Sequence, residues 1–155
     1  MSRQINEAGL NLIKYFEGLR LTSYQDEAGI WTIGYGHTGN VQAGLVITQT
    51  QAETLLITDL QRTVDYINAA LIVPILPPLV VTSPNQFASM CSLCYNIGIG
   101  NFRTSSVLKF HKANEIDKAA YAFLLWDKVT IDGQLVESPG LVARRYAERA
   151  LYLTA

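Results

Sequence analysis

Apolar side chains recur at helical spacing near both ends of the chain and give way, in between, to an alternating pattern broken by glycines. Ile5, Ala8, Leu12, Ile13 and Phe16 fall on one face of a first helix, predicted from about Gln4 to Phe16. Glu17-Gly18 supplies its stop, because glycine accepts the left-handed conformation that closes helices. From Leu19 to Thr38 the period changes. Leu21, Tyr24, Trp31, Thr32, Ile33 and Tyr35 favour extended backbone, while Asp26-Glu27-Ala28-Gly29 and the glycines Gly34, Gly36 and Gly39 favour turns. That segment reads as a small β-hairpin or a three-stranded meander. Thr48-Gln49-Thr50-Gln51 is a capping-box pattern opening a long helix, whose Ala52, Leu55, Leu56, Leu60, Val64 and Ile67 keep one face apolar to about Ala70. A proline-rich linker, Val73 to Val81, breaks the helical pattern, and Ser83-Pro84 restarts it, an N-cap followed by a proline in the first turn. The restarted helix is predicted to run to Asn96, with others from Thr104 to His111, Ile116 to Trp126 and Pro139 to Tyr152. The class is α+β and mostly helical: a small N-terminal sheet lobe and a C-terminal helical lobe joined by the long helix. Such an order predicts a cleft between the lobes.

Composition narrows what this pattern can be. The chain has 155 residues, 49% hydrophobic and 16% charged, enough for one sizeable core, so residues 1–155 are expected to form a single domain. A formal charge of −1 lacks the electrostatic footprint of a nucleic-acid binder. The N-terminal residues scatter charges where a secretory signal needs an apolar core. The most apolar stretch, Ala69 to Val81, is shorter than the roughly 20 residues a bilayer span takes, and it carries Pro74, Pro77 and Pro78, so no stable membrane insertion is expected. Cys91 and Cys94 share a helix face. With no βαβ pattern around them, no second pair and isolated histidines, they read as buried thiols in preference to a redox or zinc site.

Two carboxylates stand out by position: Glu17 at a helix end and Asp26 at a hairpin turn. A Glu leaving an apolar helix beside Phe16 can lie against a dry wall, where desolvation favours the proton-carrying form of a general acid. An Asp on an open turn keeps water and backbone donors and can orient a nucleophilic water or face a cationic transition state. Thr32, on the returning strand, can face the same side and hold that water by its hydroxyl. The set fits glycoside hydrolysis. A helix-terminal Glu and a turn Asp are also ordinary solvated residues, and spacing alone leaves both readings open.

The residues say more than their spacing does. Phe16-Glu17-Gly18, Tyr24-Gln25-Asp26 and Trp31-Thr32-Ile33-Gly34-Tyr35-Gly36-His37-Thr38 resemble the signature of the phage lysozymes of glycoside hydrolase family 24. That family's catalytic set is a Glu, eight residues, an Asp or Cys, five residues and a Thr, and Glu17, Asp26 and Thr32 match each position and both gaps. Gln86-Phe87-Ala88, Tyr95-Asn96-Ile97-Gly98, Phe102, Ser105 and Gly140-Leu141-Val142-Ala143-Arg144-Arg145 with Glu148 resemble its C-terminal lobe. The linker Val73 to Val81 departs from the pattern, as does the near-neutral charge, which implies weaker steering toward an anionic wall.

The resemblance implies an endolysin, a muramidase that needs no metal or cofactor and cleaves the β-1,4 bond between N-acetylmuramic acid and N-acetylglucosamine, lysing the host at the end of infection. Glu17 would protonate the glycosidic oxygen, and Asp26 and Thr32 would position water for attack with inversion. The partners implied are peptidoglycan strands and, indirectly, a holin that releases the protein from the host cytoplasm. A chain that begins directly at its first helix looks like the holin-dependent type without a signal-anchor, and a monomer is expected. The resemblance further implies that Tyr24, Tyr95, Asn96 and Ser138 line the sugar groove, where core packing is the alternative for Tyr95. It also implies an ion pair between His37 and Asp59 that ties hairpin to long helix, and the approach of Arg144 or Arg145 to the acid. A lytic transglycosylase and a non-catalytic wall-binding module are the rival readings; the presence of Asp26 and Thr32 beside Glu17 argues against both.

Overall fold

A computed structural model of the chain describes residues 2–72 and 80–154, so most of the proline-rich linker lies outside the described residues. The backbone divides into two compact units, residues 13–62 and residues 1–12 with 63–155, and the boundaries fall inside the first helix and the long helix. The class is α+β as predicted, seven helices and two small antiparallel hairpins among the described residues.

The first helix, α1, spans Glu7–Glu17 and starts later than the apolar spacing predicts. Asn6 is the reason: its Oδ1 accepts from Gly9 N at 3.0 Å, an N-cap that sets the first turn, and its Nδ2 donates to Asn85 Oδ1 at 2.8 Å. The stop is at Gly18, φ +73°, whose N–H returns to the Lys14 carbonyl at 3.0 Å.

In the unit of residues 13–62, β1 (Arg20–Gln25) and β2 (Trp31–Gly34) pair antiparallel, Tyr24 opposite Thr32 and Gln25 opposite Trp31. Of the two shapes the sequence allows, the hairpin forms. A third segment contributes an isolated bridge, Thr22 to Val46, flanked by Ser23 N to Leu45 O and Ile47 N to Leu21 O, each 2.9 Å. The long helix α2, Gln49–Ala70, opens on the predicted capping box: Gln51 N donates to Thr48 Oγ1 at 3.2 Å and Thr48 N to Gln51 Oε1 at 2.8 Å. Its Ala52, Leu56 and Leu60 are buried at helical spacing. Gly34 ends β2 at φ +67°, and a Cβ there would sit 3.3 Å from Ala52 Cβ, so hairpin and helix approach closely where the side chain is missing.

The other unit is built on α3 (Pro84–Ile97), opened by a full capping box between Ser83 and Gln86 with Pro84 in the first turn. The short helices α4 (Ile99–Arg103), α5 (Ser106–Lys112) and α6 (Ile116–Phe123) follow, and α7 (Pro139–Leu153) closes the chain. Phe87, Met90, Leu93, Phe102, Phe123 and Tyr152 form the centre of its core. Two features are absent from the sequence reading. α4 is too short to carry a period, and a second hairpin, β3 (Lys128–Ile131) with β4 (Gln134–Glu137), is exposed along both strands. The hairpin turns at Asp132-Gly133, both at positive φ, the pair most suited to a tight two-residue turn. α6 stops at Phe123, before the predicted Trp126. Cys91 and Cys94 are free and buried, and burial pushes the Cys94 thiol up to about 12 and raises Cys91 likewise, so both are unreactive core residues.

Candidate active site

Glu17 is the last residue of α1, half-buried, and the Gly36 backbone passes beside it: a Cβ on Gly36 would lie 3.5 Å from Glu17 Oε2. The end of α1 is fixed from several sides. Ile13 is fully buried, and Lys14 pairs with Glu53 of α2 at 3.0 Å while its ammonium stands 5.9 Å from the centre of the Tyr35 ring.

Asp26 follows directly on β1 and is locked into the hairpin turn. Its Oδ1 accepts from Ala28 N and Ile30 N, each 2.9 Å, while its own N–H donates to Ile30 O at 2.9 Å. One carboxylate oxygen is thereby used to hold the side chain, and among the described residues no donor reaches Oδ2. Thr32 is buried on β2 and donates its hydroxyl proton to Ile30 O at 2.9 Å. With that proton committed, Thr32 Oγ1 faces any further partner as an acceptor. The turn therefore holds both side chains in place, Asp26 through two backbone donors and Thr32 through the Ile30 carbonyl. Tyr24, opposite Thr32 in the register, has one ring face covered by the Arg20 guanidinium at 4.4 Å.

His37 and Asp59 meet in this unit. Nδ1 lies 2.8 Å from Asp59 Oδ2 and 3.0 Å from Oδ1, and Nε2 lies 2.9 Å from Gly39 O, so the ring bridges the turn after β2 to α2. An open apolar groove of about 410 Å³ lies beside the histidine, lined by Ile33, Val41, Leu45, Ile47 and Leu55 among others. Glu17, Asp26 and Thr32 do not line it.

The remaining residues that the resemblance names belong to the other unit. Ser138 caps α7, its hydroxyl accepting from Leu141 N at 3.4 Å. Tyr95 is half-buried on the last turn of α3, and Asn96 beside it is exposed. Beneath Asn96 lies a buried ionic network that spacing showed only as an i+3 and i+4 pairing. Glu148 accepts from Arg144 Nε at 3.1 Å, from Arg145 Nη1 at 2.5 Å and from Ser92 Oγ at 2.6 Å. Arg145 also donates Nε to Trp126 O at 2.7 Å and Nη2 to Asn96 Oδ1. All three charged residues are buried. Burial holds the Arg145 guanidinium below the usual arginine value, with Glu148 acting in the opposite direction. The sequence offered no sign that Ser92 or the Trp126 carbonyl would join, because both arrive from elements distant along the chain. Among the described residues no three His, Cys, Asp or Glu side chains cluster so as to hold a metal ion.

The family model described as phage lysozyme matches residues 14–148. The chain is 43% identical to an endolysin of Acyrthosiphon pisum secondary endosymbiont phage 1, over 97% of this chain and 99% of that protein. Among solved structures it superposes on an endolysin from Escherichia coli O157:H7 phage FAHEc1 with a TM-score of 0.89 at 40% identity, covering 99% of this chain and 95% of the other. It superposes equally well, at 37% identity and 99% coverage of both chains, on the muramidase domain of SpmX from Asticaccaulis excentricus, with a TM-score of 0.89.

Proposed function

The chain belongs to the phage lysozyme family, and from that premise we propose that it is an endolysin that hydrolyses the β-1,4 bond between N-acetylmuramic acid and N-acetylglucosamine in peptidoglycan. The observation that carries the proposal is the hairpin turn that fixes Asp26 through two backbone donors and commits the Thr32 proton to Ile30 O, in the same compact unit as Glu17.

The mechanism follows from the roles these groups can take. Glu17 donates a proton to the glycosidic oxygen as the bond to the anomeric carbon lengthens. A water donates its two hydrogens to Asp26 Oδ2 and Thr32 Oγ1, which aims its lone pair at the anomeric carbon. Asp26 takes up a proton as the water attacks, the product hemiacetal forms with inversion, and the leaving sugar departs with the proton from Glu17. Atoms and charge balance without a cofactor. Tyr24, Tyr95, Asn96 and Ser138 are proposed as sugar contacts. His37 and Asp59 are proposed as structural, their contact holding the turn after β2 on α2. The protein is proposed to act as a monomer, as one catalytic domain, after a holin releases it from the host cytoplasm.

Two measurements test this. Glu17→Gln is expected to lose activity by a factor on the order of 10² to 10⁴ while melting like the parent; unchanged clearing of permeabilised Gram-negative cells would remove Glu17 from its role. Product analysis by NMR is expected to show the α-anomer first and reducing ends throughout. Retention at the anomeric carbon would rule out the direct attack by water, and 1,6-anhydro ends would make the enzyme a lytic transglycosylase.

A further inference from the structure

We propose that Gln25 is a positioning residue for Asp26: its side-chain amide sets the plane of the peptide joining Gly29 to Ile30, and that peptide's N–H holds the Asp26 carboxylate. The proposal rests on the reading above, in which Asp26 orients the attacking water, and adds a residue that works through it.

Two side chains meet on one peptide group. Gln25 Nε2 donates to Gly29 O at 3.1 Å, and Ile30 N donates to Asp26 Oδ1 at 2.9 Å. The Gly29 carbonyl and the Ile30 N–H belong to the same planar unit and point in opposite directions. A side chain that fixes the oxygen therefore fixes the direction of the hydrogen as well. Gln25 can do so although its side chain is exposed, because its backbone is anchored: it is the last residue of β1 and pairs with Trp31 in the antiparallel register.

The peptide needs such a hold. Gly29 stands at φ +78° with nothing within 4 Å of where a Cβ would be, and glycine passes between backbone conformations that other residues avoid. Rotation about Gly29 ψ and Ile30 φ is enough to turn the plane over. Turned over, it would set the Gly29 oxygen against the Asp26 carboxylate, acceptor against acceptor, and of the two backbone donors to Oδ1 only Ala28 N would remain. Ile30 carries the setting further. Its carbonyl accepts from Asp26 N and from the Thr32 hydroxyl, each at 2.9 Å, so a shift of this residue reaches both groups that are proposed to hold the water. Small displacements of such groups are costly in rate, because the reacting atoms must be aligned before attack.

The test compares the parent with Gln25→Met, which keeps the length of the side chain and removes its donor, by steady-state kinetics on peptidoglycan and by ¹H–¹⁵N spectra. One neutral hydrogen bond spent on orientation predicts a loss in kcat of about five-fold. KM and melting temperature should stay as they are, since the bond serves the transition state and not the binding of glycan. In the parent the Ile30 amide signal is expected to move as Asp26 takes up a proton, and Asp26→Ala to abolish that movement. In Gln25→Met the movement should shrink and the Ile30 N–H should exchange faster with solvent. An unchanged kcat overturns the proposal. So does a KM that rises at constant kcat, which would make Gln25 a contact of the glycan, and so does an Ile30 amide that behaves as in the parent although kcat has fallen. If Gln25→Met melts below the parent, Gln25→Lys decides, because its ammonium can still donate to Gly29 O: it should keep the slow exchange at Ile30, and fast exchange there would refute the role of the donor. A parent that releases no reducing ends from peptidoglycan fails the muramidase reading itself, while the Ile30 signal still tests the coupling of Gln25 to Asp26.

Discussion

At the scale of single residues, Glu148 is the most demanding position in the chain. It is fully buried, and its two oxygens receive three donors, two of them on charged guanidiniums. Removing one member of a buried ion cluster costs about 3–5 kcal/mol. Glu148→Ala is expected to lose stability on that scale in urea unfolding, whereas Ser92→Ala, which removes a single donor, should lose about 1 kcal/mol. Comparable losses for the two variants would show that the guanidiniums find other partners. The catalytic candidates at this scale were legible from the chain alone because their spacing and their neighbours repeat a known signature. What spacing could not contain was the Thr32 hydroxyl turned onto Ile30 O, or Asp26 Oδ1 held by two backbone donors, since both depend on how the turn closes.

At the scale of elements, the helices follow their caps. Thr48 and Ser83 open α2 and α3 with reciprocal boxes, and both were readable as patterns of four residues. Asn6 was not, because its amide serves as a cap without a Glu or Gln partner three residues on. The crossing of α1 on α3 depends on one missing side chain: a Cβ added to Gly9 would stand 2.5 Å from Ala88 Cβ. Gly9→Ala is therefore expected to destabilise the protein by about 1–3 kcal/mol through overpacking. Gly100, in α4, has open space where its Cβ would be, and Gly100→Ala should stabilise by about 0.4–1 kcal/mol by restricting the unfolded chain. Paired melting curves check both signs, and a stabilised Gly9→Ala would mean the helices can separate without penalty. The β3–β4 hairpin carried a usable signal in Asp132-Gly133 between two runs of branched residues. Its strands are exposed on both faces, so no half-buried alternation marks them, and only the turn pair announces them.

At the scale of the whole molecule, stability is expected to depend on pH through a histidine that the candidate chemistry does not use. His111 is fully buried in the unit of residues 1–12 and 63–155. Its Nδ1 lies 2.6 Å from the Tyr152 hydroxyl and its Nε2 2.9 Å from Thr82 Oγ1. Burial, and secondarily the charge of Arg3, lower it from 6.5 to about 4. Between those values the unfolded chain holds a proton on this ring that the folded chain does not, so stability rises with pH across the window. It is lost as pH falls from about 6.5 to about 4, by roughly 3 kcal/mol, and this contribution changes no further below that. Urea unfolding at pH 7 and pH 4.5 is expected to show the loss, and His111→Gln to flatten most of it. An equally steep profile in the variant would move the effect to other groups.

The sequence by itself determined the class, the order of the principal helices, the extended segment after the first of them and the resemblance of Glu17, Asp26 and Thr32 to a family signature. Each of these is encoded within a few residues, in the period of apolar positions, the chemistry of a cap or turn, or the gaps between three candidate side chains. Tertiary structure alone decided that a histidine far from any neighbour in sequence is sealed between a threonine and a tyrosine, and that Arg145 ends on an exposed asparagine. Those pairings join atoms separated along the chain by up to 49 positions. No local pattern specifies them, because the desolvation that makes a buried charge or hydroxyl seek a partner exists only once the core has closed around it.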